Sequence, residues 1–217
     1  MGLLSAFLDL LFPPRCAFCR KILDRGDVLL CADCEKTLPY TSGGGMQHGD
    51  FFSACIAPLR YEGPVRDSLL RYKFHGASAY SETYGKLLAP CIRENFSGCY
   101  DLISWVPLSR KRLKERGYDQ AMLLAMAAAR ELGDSAVGTL VKVRNVEKQS
   151  VMGSEEKRRA NISGAYRAAD PEMVSGKRIL LIDDIVTTGA TLSECARTLR
   201  EAGAAEIICA ALARAGD

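Results

Sequence analysis

Two adjacent carboxylates, Asp183 and Asp184, stand between four apolar residues and a short threonine–glycine segment, Thr187-Thr-Gly-Ala-Thr191. A carboxylate pair at the end of a buried strand can accept from hydroxyl groups or hold a hard divalent cation through oxygen. The segment that follows suits the opposite charge. Free backbone N–H groups at the start of a helix, helped by its dipole, bind phosphate. Val186, Thr187, Thr188, Gly189, Ala190 and Thr191 therefore form a candidate anion cradle. Its hydroxyl donors are the three threonines, and Gly189 permits close backbone approach.

An anion beside two carboxylates is repelled unless something lies between them. Ribose hydroxyls can do this, and so can Mg²⁺ bridging to a diphosphate. A ligand with a 5-phosphate, vicinal hydroxyls and a Mg²⁺-bound diphosphate satisfies every group, which describes phosphoribosyl pyrophosphate. The plainer alternative is a strand–turn–helix in which Asp184 or Thr191 only caps the helix.

The elements that must position these residues are legible. Residues 179–182 are a continuous apolar run, as in a parallel sheet covered on both faces. Leu192, Cys195, Ala196 and Leu199 recur at helical spacing, and Gly203 supplies a stop. Residues 54–61, 101–106, 140–143 and 207–212 read as further strands. Helices are expected over 64–74, around Tyr80 to Ile92, and over 120–132, the last capped by Asp119 and stopped by Gly133. Strands alternating with helices predict an α/β fold, a parallel sheet with helices on both faces and ligands at the strand C-terminal ends.

Cys16, Cys19, Cys31 and Cys34 form two C-x2-C knuckles, the spacing of a tetrahedral zinc site. Two disulfides or four free thiols are the other readings. Zn²⁺ would be structural, holding a segment too short to bury a core of its own. Arg20 and Glu35 stand where a glycine often follows such a knuckle. Cys55, Cys91, Cys99, Cys195 and Cys209 read as buried core thiols. Ser42-Gly-Gly-Gly45 suggests a boundary, giving an N-terminal helix and zinc ribbon over 1–45 and a main domain over 50–217.

With 48% hydrophobic residues and a net charge of +3, the chain supports a packed core, and its charge alone does not imply nucleic acid. Residues 2–12 read as a short amphipathic helix, not a signal peptide, because a basic n-region and cleavage site are lacking. No stretch reaches the ~18–20 apolar residues of a membrane span, and a cytoplasmic protein is expected.

Two basic segments complete the candidate site. Lys111, Arg112 and Arg116, with Arg110 and Lys114, crowd what reads as a loop after the 101–106 strand, where they would hold a diphosphate. Arg144 belongs to a second segment, 142–161, that lacks periodicity and reads as a lid.

The pattern of four apolar residues, two acids and Thr-Thr-Gly-x-Thr resembles the signature of type I phosphoribosyltransferases. Other pieces extend the resemblance: Leu11-Phe-Pro-Pro-x-Cys16, the two knuckles, Tyr61-Glu-Gly-Pro-Val-Arg66, Lys73-Phe74, the run Val106 to Gln120, Arg144, Gln149, Arg158 and Asn161-Ile-Ser-Gly-Ala-Tyr166. In this order they are similar to the ComF family of phosphoribosyltransferase-like competence proteins. Tyr118-Asp119 departs from the family's frequent Phe-Asn. The resemblance implies a zinc ribbon joined to a type I phosphoribosyltransferase domain, binding of phosphoribosyl pyrophosphate with Mg²⁺, and a link to DNA uptake in natural transformation.

Two functions follow. In the first, a phosphoribosyltransferase of unassigned acceptor uses Asp183 and Asp184 at the ribose and Lys111, Arg112 and Arg116 at the leaving diphosphate. In the second, a non-catalytic protein binds single-stranded DNA or regulates, partnering a DNA helicase or translocase; Tyr72 and Tyr118 lie near basic residues, but at 7% aromatic content the interleaving expected of such a binder is thin.

Overall fold

The computed structural model describes residues 13–24, 29–144 and 162–216. The expected helix over 2–12 and most of the basic segment 142–161 lie outside them. In chain order the elements are α1 (Ala32–Thr37), a 3-10 turn (Ser42–Gly45), β1 (Cys55–Ile56), β2 (Leu59–Arg60), α2 (Gly63–Phe74), α3 (Tyr80–Phe96) and β3 (Leu102–Trp105). Then follow α4 (Arg110–Arg116), α5 (Gln120–Leu132), β4 (Leu140–Lys142), β5 (Tyr166–Ala168), α6 (Pro171–Val174), β6 (Arg178–Val186), α7 (Ala190–Glu201) and β7 (Glu206–Arg214).

The main sheet runs in the order β1-β7-β6-β3, with β2 also on β7, and every pair is parallel. Side-chain alternation along β6 divides the core. Leu180 and Ile182 pack with α2, α3 and α5 on one face; Ile179 and Leu181 pack with α7 and the β4–β5 pair on the other. Helices α3 and α5 approach closely because Gly85 has no side chain. A Cβ there would lie 2.7 Å from the Ala127 carbonyl carbon and 2.9 Å from the Ala128 nitrogen.

Three expectations change. The single strand over 54–61 is two short pieces, because Pro58 has no N–H to give the ladder. The strand at 140–143 pairs antiparallel with β5 in a separate two-stranded sheet, outside the parallel one. The basic stretch after β3 is a helix, capped by Ser109 accepting from Arg112 N–H and ended by Gly117 at φ 81°. Its run of long charged residues propagates a helix well, which the charge pattern obscured. Of the five cysteines expected in the core, Cys99 is exposed.

The ribbon residues and the body share one core. Cys16, Ala17, Phe18, Cys31 and Cys34 cluster with Val65, Leu69, Tyr72 and Tyr84. Arg71 donates to the carbonyls of Ala17 (2.7 Å) and Phe18 (3.0 Å), and Leu29 N–H donates to Thr83 Oγ1 (2.9 Å). Gly45 of the 3-10 turn is buried: a Cβ there would meet the Ala57 carbonyl at 2.7 Å.

The missing knuckle glycine has a visible consequence. Arg20 sits at φ 68°, the one non-glycine in the left-handed region among the described residues. Arg20→Gly relieves that conformation and is expected to stabilise the fold by about 0.5–1 kcal/mol, read as a higher denaturation midpoint at unchanged slope. A drop in midpoint would show that the arginine side chain matters more than its backbone.

Candidate functional site

The site lies where the chain's direction across the sheet reverses. Strands β3 and β6 are neighbours, with Trp105 opposite Ile182. Helix α5, in the connection from β3 to β6, packs on one face, and α7, which follows β6, packs on the other. Their connections part over the strand C-terminal ends, the crevice in which open α/β sheets hold ligands.

Strand β6 continues through both aspartates, with Asp183 opposite Ala211 and Val186 opposite Arg214. Because successive strand residues face opposite ways, the two carboxylates part company. Asp184 is 7% exposed and points to the α2 side, where Lys73 Nζ, from the last turn of α2, reaches its Oδ1 at 2.9 Å. Asp183 points to the other side, into the electrostatic reach of Lys142, Tyr166, Cys55 and Cys195. Burial, and then the charge of Asp184, push the Asp183 carboxyl up to about 8, while Lys73 opposes them. Its Oδ1 accepts from Asp184 N–H at 2.8 Å.

The cradle follows at once. Thr187 and Thr188 are exposed, Ala190 and Thr191 are half-buried, and Val186 buries its side chain, leaving its backbone for the loop. Gly189 is the N-cap of α7 at φ 76°, and Ser193 N–H already closes on its carbonyl at 2.8 Å. A Cβ at Gly189 would stand 3.3 Å from the ring of Phe52. Gly189→Ala is therefore expected to cost about 1–2 kcal/mol from the left-handed backbone alone. It should also distort the cradle, so thermal unfolding and phosphate affinity fall together.

On α4, Arg112 and Arg116 stand one turn apart. Arg116 donates to Gln120 Oε1 at 2.8 Å and lies 4.9 Å over the Phe74 ring; burial lowers its pKa while Asp184 opposes this. Arg112 is half-buried, and its charge is felt at Lys142 and Tyr166. Lys111, one position away, is exposed. Arg144 is exposed and donates to the Ser163 carbonyl at 2.6 Å. Asp119 fixes the loop: it accepts from Leu108 N–H at 2.8 Å and Met122 N–H at 3.2 Å.

Two site residues were not singled out from sequence. In the sequence Lys73 stands out only as part of a family motif, and its contact with Asp184 depends on α2 ending over β6. Lys142 donates to Tyr166 Oη at 2.9 Å and sits 4.8 Å over that ring; burial, then Arg112, hold its pKa below the usual lysine range. A lysine two positions before Arg144 in a strand was the available signal. Tyr72, by contrast, is fully buried and donates to the Gln120 carbonyl, so it offers no stacking face to a base.

The ribbon cysteines form a compact cluster, with their four sulfurs within 4.8 Å of one another and Cys19 and Cys31 at 3.6 Å. Tetrahedral zinc at ~2.3 Å from each sulfur needs separations of about 3.8 Å, so the soft donor set fits Zn²⁺.

Residues 119–217 match the model of the phosphoribosyl transferase domain, and residues 7–45 match that of the double zinc ribbon domain. With the parallel sheet and the cysteine cluster, these matches define a phosphoribosyltransferase-type protein carrying an N-terminal zinc ribbon. The chain is 29% identical to Competence protein F of Haemophilus influenzae, across 93% of this chain and 97% of that one. It is 30% identical to Competence protein ComFC of Streptococcus pneumoniae (82% and 71%) and 28% identical to DNA utilization protein YhgH of Escherichia coli (88% and 86%). It belongs to the ComF family.

Proposed function

We propose that the chain binds phosphoribosyl pyrophosphate with Mg²⁺ in the crevice between β3 and β6, as a phosphoribosyltransferase-type component of DNA uptake or utilisation. The observation that carries this reading is the left-handed Gly189 turn at the α7 N-terminus, placed directly after the split carboxylate pair. The loop 186–191 takes the 5-phosphate on backbone N–H groups and threonine hydroxyls. Asp183 faces the ribose hydroxyls, and its hard oxygens suit the Mg²⁺ that travels with the diphosphate. Asp184, neutralised by Lys73, keeps the α2 side of the ribose site in place. Arg112, Arg116 and Lys142 converge from α4 and β4 on the position of the diphosphate. Lys111 and Arg144 lie further out and contribute to its field. The names of the relatives supply the link to competence and DNA utilisation.

Calorimetry with phosphoribosyl pyrophosphate and Mg²⁺ tests the reading. One site of micromolar affinity is expected, about −8 kcal/mol at 1 µM. Asp183 is protonated below about pH 8 in the free protein. Binding through its ionised form must then release a proton, so affinity rises up to tenfold per pH unit below about 8 and levels above it. Repeating the titration in buffers of different ionisation enthalpy counts that proton. Absent heat, or affinity flat between pH 6 and 8, rejects the site as drawn.

A further inference from the structure

On its β4 side the small β4–β5 sheet has an edge that no strand among the described residues covers. Ala169 N–H donates to the Thr139 carbonyl at 2.8 Å and Val143 N–H to the Ala165 carbonyl at 2.9 Å. Val141 stands opposite Arg167 between them. The alternation of an antiparallel ladder therefore turns the backbone groups of residues 139, 141 and 143 toward β5, and those of Leu140 and Lys142 outward.

That outward edge borders a cavity of about 500 Å³ whose opposite wall is residues 107–110. The lining carries Arg110, Lys142, Arg144 and Arg167 and contains no carboxylate. Beside these cations Val141 is 36% exposed and Val143 57% exposed. An exposed strand edge, alternating apolar side chains and one-signed charge meet in one groove. Edge strands left in this condition recruit another strand.

We propose that this edge is a docking site for an acidic peptide, bound in extended conformation as a third strand beside β4. Its alternate N–H and C=O groups would pair with those of Leu140 and Lys142. One set of its side chains would lie along Val141 and Val143, the face that Arg167 shares, and the acidic set would lie along Lys142 and Arg144 on the other. At ~3.3 Å per residue the edge 140–144 accommodates about four peptide residues. A nucleic acid could satisfy the cations, but it offers no backbone ladder to the strand edge and no apolar partner for the valines. Lys142 and Arg144 are shared with the proposed sugar-phosphate site, whereas the ladder uses only the outward backbone groups of β4 and the valines.

The test is fluorescence anisotropy on the full chain at low salt. The probes are eight-residue peptides alternating Glu or Asp with Val, Ile or Phe. Lysine-substituted versions and oligothymidylate of equal charge serve as comparisons. The acidic peptides should bind, with Val143→Glu weakening them at least tenfold at unchanged melting temperature and unchanged phosphoribosyl pyrophosphate affinity. Val143 is exposed, so this variant does not threaten the fold. N-methylating alternate peptide amides should abolish binding in one parity and spare it in the other, because the side-chain pattern fixes which amides face β4. Equal loss in both parities would reduce the site to charge attraction and overturn the proposal. So would oligothymidylate binding with the same dependence on Val143, or no binding of any acidic peptide.

Discussion

Asp183→Asn is expected to raise the melting temperature of the ligand-free protein and Asp184→Asn to lower it, although the residues are neighbours and either change removes the response to phosphoribosyl pyrophosphate with Mg²⁺. The opposite signs follow from the opposite faces. The Asp183 carboxyl is held up at about 8 against an ordinary 3.8. The folded state therefore keeps a proton that the unfolded chain has lost, and stability from this group falls as pH rises from about 4 to about 8. An amide keeps the acceptor for Asp184 N–H and has no charge to bury. The gain should be about 1–3 kcal/mol above pH 8 and vanish near pH 4. Asp184→Asn instead strands the Lys73 ammonium, whose side chain is 19% exposed and 2.9 Å from its partner. Breaking such a pair costs ~3–5 kcal/mol when fully buried, and about 2–3 kcal/mol with this much solvent access. Each kcal/mol moves the midpoint by ~2–4 °C in a chain of this size. Melting curves at pH 6 and pH 8.5, with and without ligand, check all four expectations. Shifts of the same sign would mean that the two carboxylates share one environment.

Removing zinc should destabilise the entire protein and not only its first forty residues. Cys16, Cys31 and Cys34 lie in the same core as α2 and α3, and Arg71 is committed to the ribbon carbonyls. An aromatic column leads inward from the ribbon. Phe18 meets Tyr84 at 6.0 Å between ring centroids, Tyr84 meets Tyr72 at 5.1 Å, and Tyr72 meets Tyr118 at 5.8 Å. Tyr118 donates to the Tyr72 carbonyl, one residue before Lys73. Structural zinc contributes ~10 kcal/mol or more to small isolated domains; even half of that predicts a midpoint ~10–20 °C lower here. Chelation, or Cys34→Ser, should thus lower the main calorimetric transition and weaken sugar-phosphate binding in parallel, with zinc restoring both in the chelated protein. A main transition that ignores the chelator would make the ribbon an independent appendage.

Local chemistry made much of the site readable in advance. The apolar run before Asp183, the threonines around Gly189 and the helical period after Thr191 are properties of consecutive residues, so they predict β6, its turn and α7 without knowledge of neighbours. The cysteine spacing is likewise a local constraint on one ion. The charge-rich stretch 110–116 misled because helix propensity and loop-like polarity point in different directions there, and Ser109 and Gly117 decide between them. The β4 strand is legible in the sequence, but its partner is not, since two short strands pair by long-range contact.

By itself the sequence determined an α/β chain with a threonine–glycine turn, a carboxylate pair and a four-cysteine cluster, because each is written in the order of adjacent residues. Only the tertiary structure decided that the pair is split, with Asp184 bound to Lys73 from α2 and Asp183 turned toward Lys142 and Tyr166. A strand's two-residue repeat separates neighbours, and what each then meets depends on elements that lie more than a hundred residues away for Lys73.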